Sequence, residues 1–462
     1  MEQTKYSEIG TTIAAISTPQ APGGIGVVRI SGPNACKIAD RVFLSLHKKK
    51  LGDLGGYSAL YGKVCDENGP IDEAVALKFR APKSFTGEEV VELSCHGGLV
   101  ILRRLLRAVI RAGAVPAGPG EFTRRAFLNG KIGLTEAESV MQLVSAQGEQ
   151  AAKAALAGHE GALERRIQKI RETLLRAAAH LSAWVDYPED DIPRVTESEL
   201  RSSLGAVQSE LEALLRGFDA GLVLREGVNT VIAGRPNAGK STLMNLLAGC
   251  ERSIVTSFAG TTRDIVEDTV LLGGIPLRLA DTAGLRDTAD PIEQVGVGRA
   301  RNRIRCARLV LAVFDASQEL NEEDRALLRE VGHTPCVAVI NKVDLPEKID
   351  KEFIKSSIKH TVYLSAKTGQ GLPQLEDAVA QVLGTKELDP SDGMLYTERQ
   401  RDAANRSLQS VNEALGALQS GMTFDAVTVS VEDAVSALLE LTGERATVAV
   451  VDSVFSHFCV GK

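Results

Sequence analysis

Gly234-Arg-Pro-Asn-Ala-Gly239-Lys240-Ser241 lies between an apolar run at 228–233 and the helical pattern Thr242-Leu-Met-Asn-Leu-Leu-Ala. Strand, glycine-rich turn and helix start follow one another here. The G-x-x-x-x-G-K-S spacing lets backbone N–H groups wrap a phosphate at a helix N-terminus, sets Lys240 against the outer phosphates and turns Ser241 toward a magnesium ion. Alone, such a stretch could be a glycine turn before a helix. Four further elements decide against that.

Asp281, Thr282, Ala283 and Gly284 close an apolar run at 276–280, which puts a carboxylate at a strand end near the magnesium and a glycine amide near the terminal phosphate. Asn341, Lys342 and Asp344 follow the apolar run 336–340. The Asp344 carboxylate can accept from the ring N–H and amino group of guanine, whereas adenine would leave it unpaired. The base is therefore guanine. Ser365, Ala366 and Lys367 fit the loop that contacts guanine from its other side. Gly260-Thr-Thr-Arg-Asp264 fits the switch segment that supplies a second magnesium ligand. The predicted nucleotide contacts are Asn237, Ala238, Gly239, Lys240, Ser241 and Thr242 of the first loop, the later motifs above, and Thr256, Ser257, Phe258, Ala259, Gly260, Thr261 and Thr262.

Leu285 stands where Ras-type GTPases carry the glutamine that orients the attacking water, and leucine cannot do that. Another group must position the water. Glu293 is the first carboxylate beyond the loop that is not adjacent to it, with Asp287 and Asp290 as rivals.

At 462 residues the chain is long enough for about three domains, and 44% hydrophobic content is ample for packed cores. No apolar stretch approaches the ~20 residues that span a bilayer, and residues 1–9 are polar, so the expectation is a cytoplasmic protein without signal peptide or anchor. The seven cysteines form no C-x-x-C pair or zinc spacing and read as reduced thiols. A net charge of −7 argues against a general nucleic-acid coat but leaves room for a local basic patch. Such clusters recur at helical spacing at Arg103, Arg104, Arg107 and Arg111, at Arg165, Arg166, Lys169 and Arg171, and between Arg299 and Arg308; each also suits a solvated helix face.

Residues 10–120 read as a mixed α/β unit, with strands at 11–16, 26–30, 74–79 and 90–93, helices at 33–44 and 99–112, and glycine-rich loops between. Arg29, Glu92 and Lys131 sit at or near strand positions, as edge residues or as ligands. From 134 to 184 the pattern is helical; it breaks at Asp186-Tyr-Pro-Glu-Asp-Asp-Ile-Pro193, resumes at 197–218 and ends at Gly221. A second helical block covers 394–441. Neither block alone makes a core, so the economical reading is one helical domain interrupted by the nucleotide domain. Near the end, Cys459 has Lys462 and His457 close in sequence and is either an activated thiol or a small buried hydrophobe.

Together these residues resemble the bacterial tRNA modification GTPases of the MnmE (TrmE) family across essentially the whole chain. The specific stretches are Gly23-Gly-Ile-Gly-Val-Val-Arg-Ile-Ser-Gly32, Ser84-Phe-Thr-Gly-Glu88, Glu92 with His96-Gly-Gly98, Phe127-Leu-Asn-Gly-Lys131 and the terminal Phe458-Cys-Val-Gly-Lys462. The resemblance implies a multidomain α/β plus all-α chain. A folate-binding-like α/β domain that makes a homodimer would span 1–122, a helical domain 123–222 and 385–462, and a Ras-like P-loop G domain 225–384. It implies a potassium ion held by Asn237, Thr256, Phe258 and Thr261, magnesium held by Ser241 and Thr262, and Glu293 as the group that orients water. It further implies that Arg29, Glu92, Lys131 and Lys462 bind a tetrahydrofolate, either 5,10-methylenetetrahydrofolate or 5-formyltetrahydrofolate, and that Cys459 serves the modification step. The implied activity is addition of an aminomethyl or carboxymethylaminomethyl group at the 5-position of the wobble uridine of certain tRNAs. The implied partner is an FAD- and NADH-dependent enzyme of the MnmG/GidA family, in a heterotetramer or larger assembly. One departure is Gly118, where relatives tend to carry arginine before Pro-Gly-Glu-Phe, which removes a cation near the folate contacts.

Two other classes share parts of the pattern. Ribosome-assembly and RNA-binding GTPases also carry leucine after Asp-Thr-Ala-Gly but usually append an RNA-binding module after the G domain. Mechanical G proteins of membranes would need a lipid-binding helix or a basic-aromatic patch.

Overall fold

The computed structural model describes residues 10–186, 196–249, 268–279, 304, 306–332 and 334–462. Its first elements are β1 (Ile13–Ile16), β2 (Gly23–Ser31), α1 (Ala35–Val42), β3 (Phe43–Ser45), β4 (Ser58–Asp66), β5 (Gly69–Phe79), β6 (Val90–Gly97), α2 (Leu99–Arg111), β7 (Val115–Pro116) and α3 (Glu121–Leu128). Four helices follow: α4 (Leu134–Ser145), α5 (Glu149–His159), α6 (Ala162–Asp186) and α7 (Glu197–Glu226). Next come β8 (Val228–Ala233), α8 (Lys240–Gly249), β9 (Asp268–Leu272), β10 (Ile275–Leu279), β11 (Leu309–Asp315), α9 (Glu322–Glu330), β12 (Cys336–Asn341), α10 (Lys351–Ser357), β13 (His360–Tyr363) and α11 (Leu372–Val382). Helices α12 (Glu398–Gln419), α13 (Phe424–Thr442) and α14 (Val448–Ser456) end the chain. By contact it divides into two units, Met1–Met141 with Thr442–Lys462, and Gln142–Leu441.

The first unit holds a seven-stranded sheet in the order β3-β4-β5-β6-β2-β1-β7. Alternation along β2 buries Val28 and Ile30 against α1 and α2, in one core with Ile38, Leu102 and Leu105. Arg29, between them, must face the other way. Its register partners are Glu92 on β6 and Ala15 on β1, so cation, carboxylate and a small apolar residue share the face on which Phe122 packs against Ile13, Ala15 and Ala117.

Two features of this sheet differ from the sequence reading. The expected helix 33–44 stops at Val42, because Phe43 begins a short strand, and the glycine-bearing stretch 58–66 is a strand and not a loop. Gly62 explains both: a Cβ there would lie 2.2 Å from the Leu44 carbonyl oxygen, so β3 and β4 approach at this point only over a glycine. Residues 442–462, grouped by sequence with the helical domain, pack in this first unit, where Val451, Phe455 and Phe458 form a cluster with Leu134 and Ala137.

In the second unit, α6, α7, α12 and α13 share one core that runs from Leu163 through Leu204 and Val411 to Leu438. Residues from before and after the nucleotide domain thus complete each other, as expected from two half-cores. The helical stretch 134–184 is three helices. It is cut at Gly161, which has a positive φ of 78°, and at Gly148, where a Cβ would meet the Gly274 carbonyl at 2.7 Å. Helix α7 starts with a Thr196–Glu199 capping box and continues past Gly221 to Glu226, because Val223 and Leu224 are buried beyond it. The break at 187–193 lies outside the described residues. The nucleotide domain is a six-stranded sheet ordered β13-β12-β11-β8-β10-β9, parallel except for the β9–β10 hairpin.

Candidate functional site

Strands β8, β11 and β12 run parallel, so the loops that carry the phosphate and base motifs leave one edge of the sheet. The turn between β8 and α8 packs tightly against the end of β12. Gly239 adopts φ of 98°, and a Cβ there would stand 2.1 Å from the Asn341 side-chain nitrogen. Lys240 Nζ donates to the carbonyls of Gly234 at 2.9 Å and Arg235 at 2.8 Å, which folds the ammonium over the loop it serves. Asn237, with φ of 60°, is exposed, as are Ser241 and Thr242 on the first turn of α8, where helix amides lack intrahelical partners.

Asn341 ties three loops together. Buried at the end of β12, its Nδ2 donates to the Ala238 carbonyl at 3.0 Å and its Oδ1 accepts from the Ala366 amide at 2.9 Å. Lys342 Nζ donates to the Asn237 carbonyl at 2.7 Å and to Asp315 at 2.6 Å. Burial pushes the Asp315 carboxyl up, but bonds from Lys342 and Ser317 outweigh it and hold the group below the usual range. Asp344 is exposed and accepts from Ser365 Oγ at 2.7 Å; that bond, helped by Lys367 and Lys342, keeps its carboxyl low and acceptor-only. Lys367 is exposed beside it. Asp315 escaped the sequence reading, although a carboxylate closing an apolar run next to these loops was the available signal. Arg235 pairs with the buried Asp324 of α9 at 3.5 Å, which holds the outside of the turn.

Thr256, Ser257, Phe258, Ala259, Gly260, Thr261, Thr262, Asp281, Thr282, Ala283, Gly284, Leu285 and Glu293 lie outside the described residues. The structure brings together the predicted contacts on the other three loops.

In the first unit, Arg29 Nε donates to Glu92 Oε1 at 2.8 Å, and the guanidinium lies 5.5 Å from the Phe122 ring centroid. The chain terminus reaches the same place: the Phe122 amide donates to the Lys462 carbonyl at 3.2 Å, Gly120 donates to the Cys459 carbonyl at 3.3 Å, and Pro119 bridges Val460. Gly461 is required there, since a Cβ would meet the Ile16 carbonyl at 2.3 Å. Lys131 Nζ donates to the Pro82 carbonyl at 3.2 Å. Cys459 is half-buried. His457 turns to the Ser453 carbonyl at 2.9 Å and so is bound within α14 and not to the thiol beside it in sequence.

Beneath this group is a buried ion network that sequence reasoning missed. Arg125 donates to the Thr11 carbonyl at 2.7 Å, to Glu88 at 3.1 Å and to Glu121 at 3.0 Å. Ser31 Oγ donates to Glu88 at 2.6 Å, and Glu121 accepts from the Gly118 amide at 2.7 Å. Arg125 thereby anchors the stretches 84–88 and 118–122 to α3 and sets the position of Phe122. Its signal was the i, i+4 spacing from Glu121.

A family profile described as the MnmE helical domain matches residues 134–459, and one described as the N-terminus of the GTP-binding protein TrmE matches 12–131. A curated tRNA modification GTPase MnmE of Acetivibrio thermocellus is 39% identical over 456 residues, covering 98% of this chain and 99% of that protein. The protein of the same name from Symbiobacterium thermophilum is 43% identical over 455 residues, and that from Geobacillus kaustophilus 41% over 458, each covering 98% of this chain and 99% of the relative. Among the described residues no helix is long and apolar enough to cross a membrane.

Proposed function

The chain belongs to the MnmE (TrmE) family of tRNA modification GTPases, and from that premise we propose that it is a potassium-dependent GTPase whose hydrolysis cycle drives modification of the wobble uridine of certain tRNAs. The observation that carries the reading is the Asn341 tether, which joins the phosphate turn to both base-reading loops so that one nucleotide can engage all three. The turn packs on Asn341 so closely at Gly239 that no side chain fits there, the unpartnered amides of the first turn of α8 suit a phosphate, and the oxygens of Ser241 and Asn237 suit hard cations. Magnesium and potassium, when bound, supply positive charge against the phosphate oxygens. Lys240 and the amides around Gly239 grip the phosphates, Asp344 selects guanine, Ser241 with Thr262 holds magnesium, and Asn237 with Thr256, Phe258 and Thr261 holds potassium. Glu293 orients and polarises the attacking water, a role Leu285 cannot fill.

The first unit serves the one-carbon chemistry. Arg29 and Glu92 offer a cation and an acceptor beside the Phe122 ring, a donor set that suits a folate's carboxylate tail and pterin N–H groups, with Lys131 and Lys462 as further cations. The folate supplies the one-carbon unit when bound. Cys459 acts in the modification step, and an FAD- and NADH-dependent enzyme of the MnmG/GidA family completes the reaction in the cytoplasm, in a heterotetramer or larger assembly. Homodimerisation through this unit is supported by exposed apolar side chains on one sheet face at its β3 side, where Leu44, Tyr61 and Val75, 61%, 50% and 41% exposed, flank Lys63 and Glu73.

The deciding experiment is nucleoside mass spectrometry of bulk tRNA from cells without the gene, rescued with the intact protein or with Cys459→Ser. Loss of 5-substituted wobble uridines, restored by the intact protein alone, is the expected result. Persistence of those nucleosides without the gene would leave a GTPase whose task lies elsewhere, with ribosome assembly foremost.

A further inference from the structure

Helices α1 and α2 pack side by side over the same core, and Arg41 at the end of α1 donates to the Ala112 carbonyl beyond α2 at 2.7 Å. Their solvent side is basic. Residues 35–42 and 99–111, the two helices themselves, together hold six lysines and arginines against one carboxylate, in a chain whose net charge is −7. The nearby carboxylates are already engaged: Asp40 accepts from the Leu51 amide at 2.7 Å, Asp66 from Arg104 at 2.8 Å, and Glu67 from Arg111. Along α2, positions 100, 103, 107 and 111 form one exposed stripe at three- and four-residue steps. Within it the side chains of Arg103 and Arg107 have no hydrogen bond, ion pair or ring contact among the described residues.

We propose that this α1–α2 face is a docking surface for the sugar-phosphate backbone of tRNA, with Arg103 and Arg107 as its principal phosphate contacts. This rests on the tRNA reading of the function given above. A cationic helix face without aromatic or deep apolar anchors suits phosphates better than a protein partner, whose interface core would be poor in charge and rich in aromatics. Val100 is the single exposed apolar residue on the stripe. Contacts of this kind fix position and carry no base information.

The test is fluorescence-anisotropy titration of a wobble-uridine tRNA transcript with the full-length protein, over a series of KCl concentrations. Arg103→Ala combined with Arg107→Ala keeps two exposed helix positions helical. It should weaken binding about tenfold and flatten the log–log salt dependence by about 2, equally for a tRNA with another wobble base, with GTP turnover unchanged. A double change of equal charge on α6, Arg165→Ala with Lys169→Ala, should leave affinity within about twofold. Unchanged affinity and slope in the α2 variant, or an equal loss in the α6 variant, overturns the proposal. So does an α2 variant that binds tRNA normally yet fails to bind the partner enzyme. If the unaltered protein binds no tRNA, the tRNA reading falls as well; if it binds and only the α2 variant is indifferent, that reading stands and this one does not.

Discussion

Asn341→Ala removes the side chain that joins three loops of the nucleotide site. It takes away a donor to the Ala238 carbonyl at 3.0 Å and an acceptor for the Ala366 amide at 2.9 Å, and Asn341 is only 2% exposed. Each partner left unsatisfied costs about 1–3 kcal/mol. The two together amount to about 3 kcal/mol after partial access of water, and every 1.4 kcal/mol is tenfold in affinity. Both partners lie on loops that close around the nucleotide, so the cost should appear mainly in binding. Titration with a fluorescent GDP analogue should show the dissociation constant rising by about 100-fold, with the melting temperature lowered by a few degrees. Asn341→Asp is the sharper variant. It keeps the acceptor for Ala366 but sets a carboxylate oxygen against the Ala238 carbonyl, so it should bind no better than the alanine form. Binding within about threefold of the unaltered protein in Asn341→Ala would refute the view that this tether holds the site together.

Arg125→Met should destabilise the first unit by about 3 kcal/mol, since the half-buried Glu88 and Glu121 would lose their cation; an unchanged urea midpoint would discard the network. GDP affinity should not move in that variant. Asp344→Asn should weaken GTP binding by about 100-fold and improve binding of xanthosine triphosphate, whose exocyclic carbonyl oxygen replaces the amino group; competitive titration reads both, and undiminished GTP affinity would remove Asp344 from base recognition. His96 is held above its ordinary pKa by hydrogen bonding to Asp72, with ring nitrogen and carboxylate 2.9 Å apart. A raised folded-state value means that this contribution to stability is fully present below the unfolded pKa and fades as pH rises through the folded one. An NMR titration should place the His96 midpoint above about 6.5 and return it there in Asp72→Asn; equal midpoints in the two proteins would reject the pair.

The amino-acid sequence alone determined the chemistry of the nucleotide site, because a phosphate turn is local: Gly234 to Ser241 carry their own geometry, and the motifs around Asn341 and Ser365 each end a strand whose apolar run is visible. The split helical domain was equally legible, since two half-amphipathic blocks need each other. What only the tertiary structure decided depends on residues far apart in the chain. Arg29 could be read as an edge residue or a ligand until strand register set it against Glu92 and long-range packing brought Phe122 over it. Nothing local reveals that 442–462 join the first unit, because the pairing of Phe122 with Lys462 and of Gly120 with Cys459 spans most of the chain. Arg125 reads as one more helix arginine until Glu88, 37 positions away, is folded beside it. Local patterns specify which groups can do chemistry; burial and register, which are properties of the assembled chain, decide which of them meet.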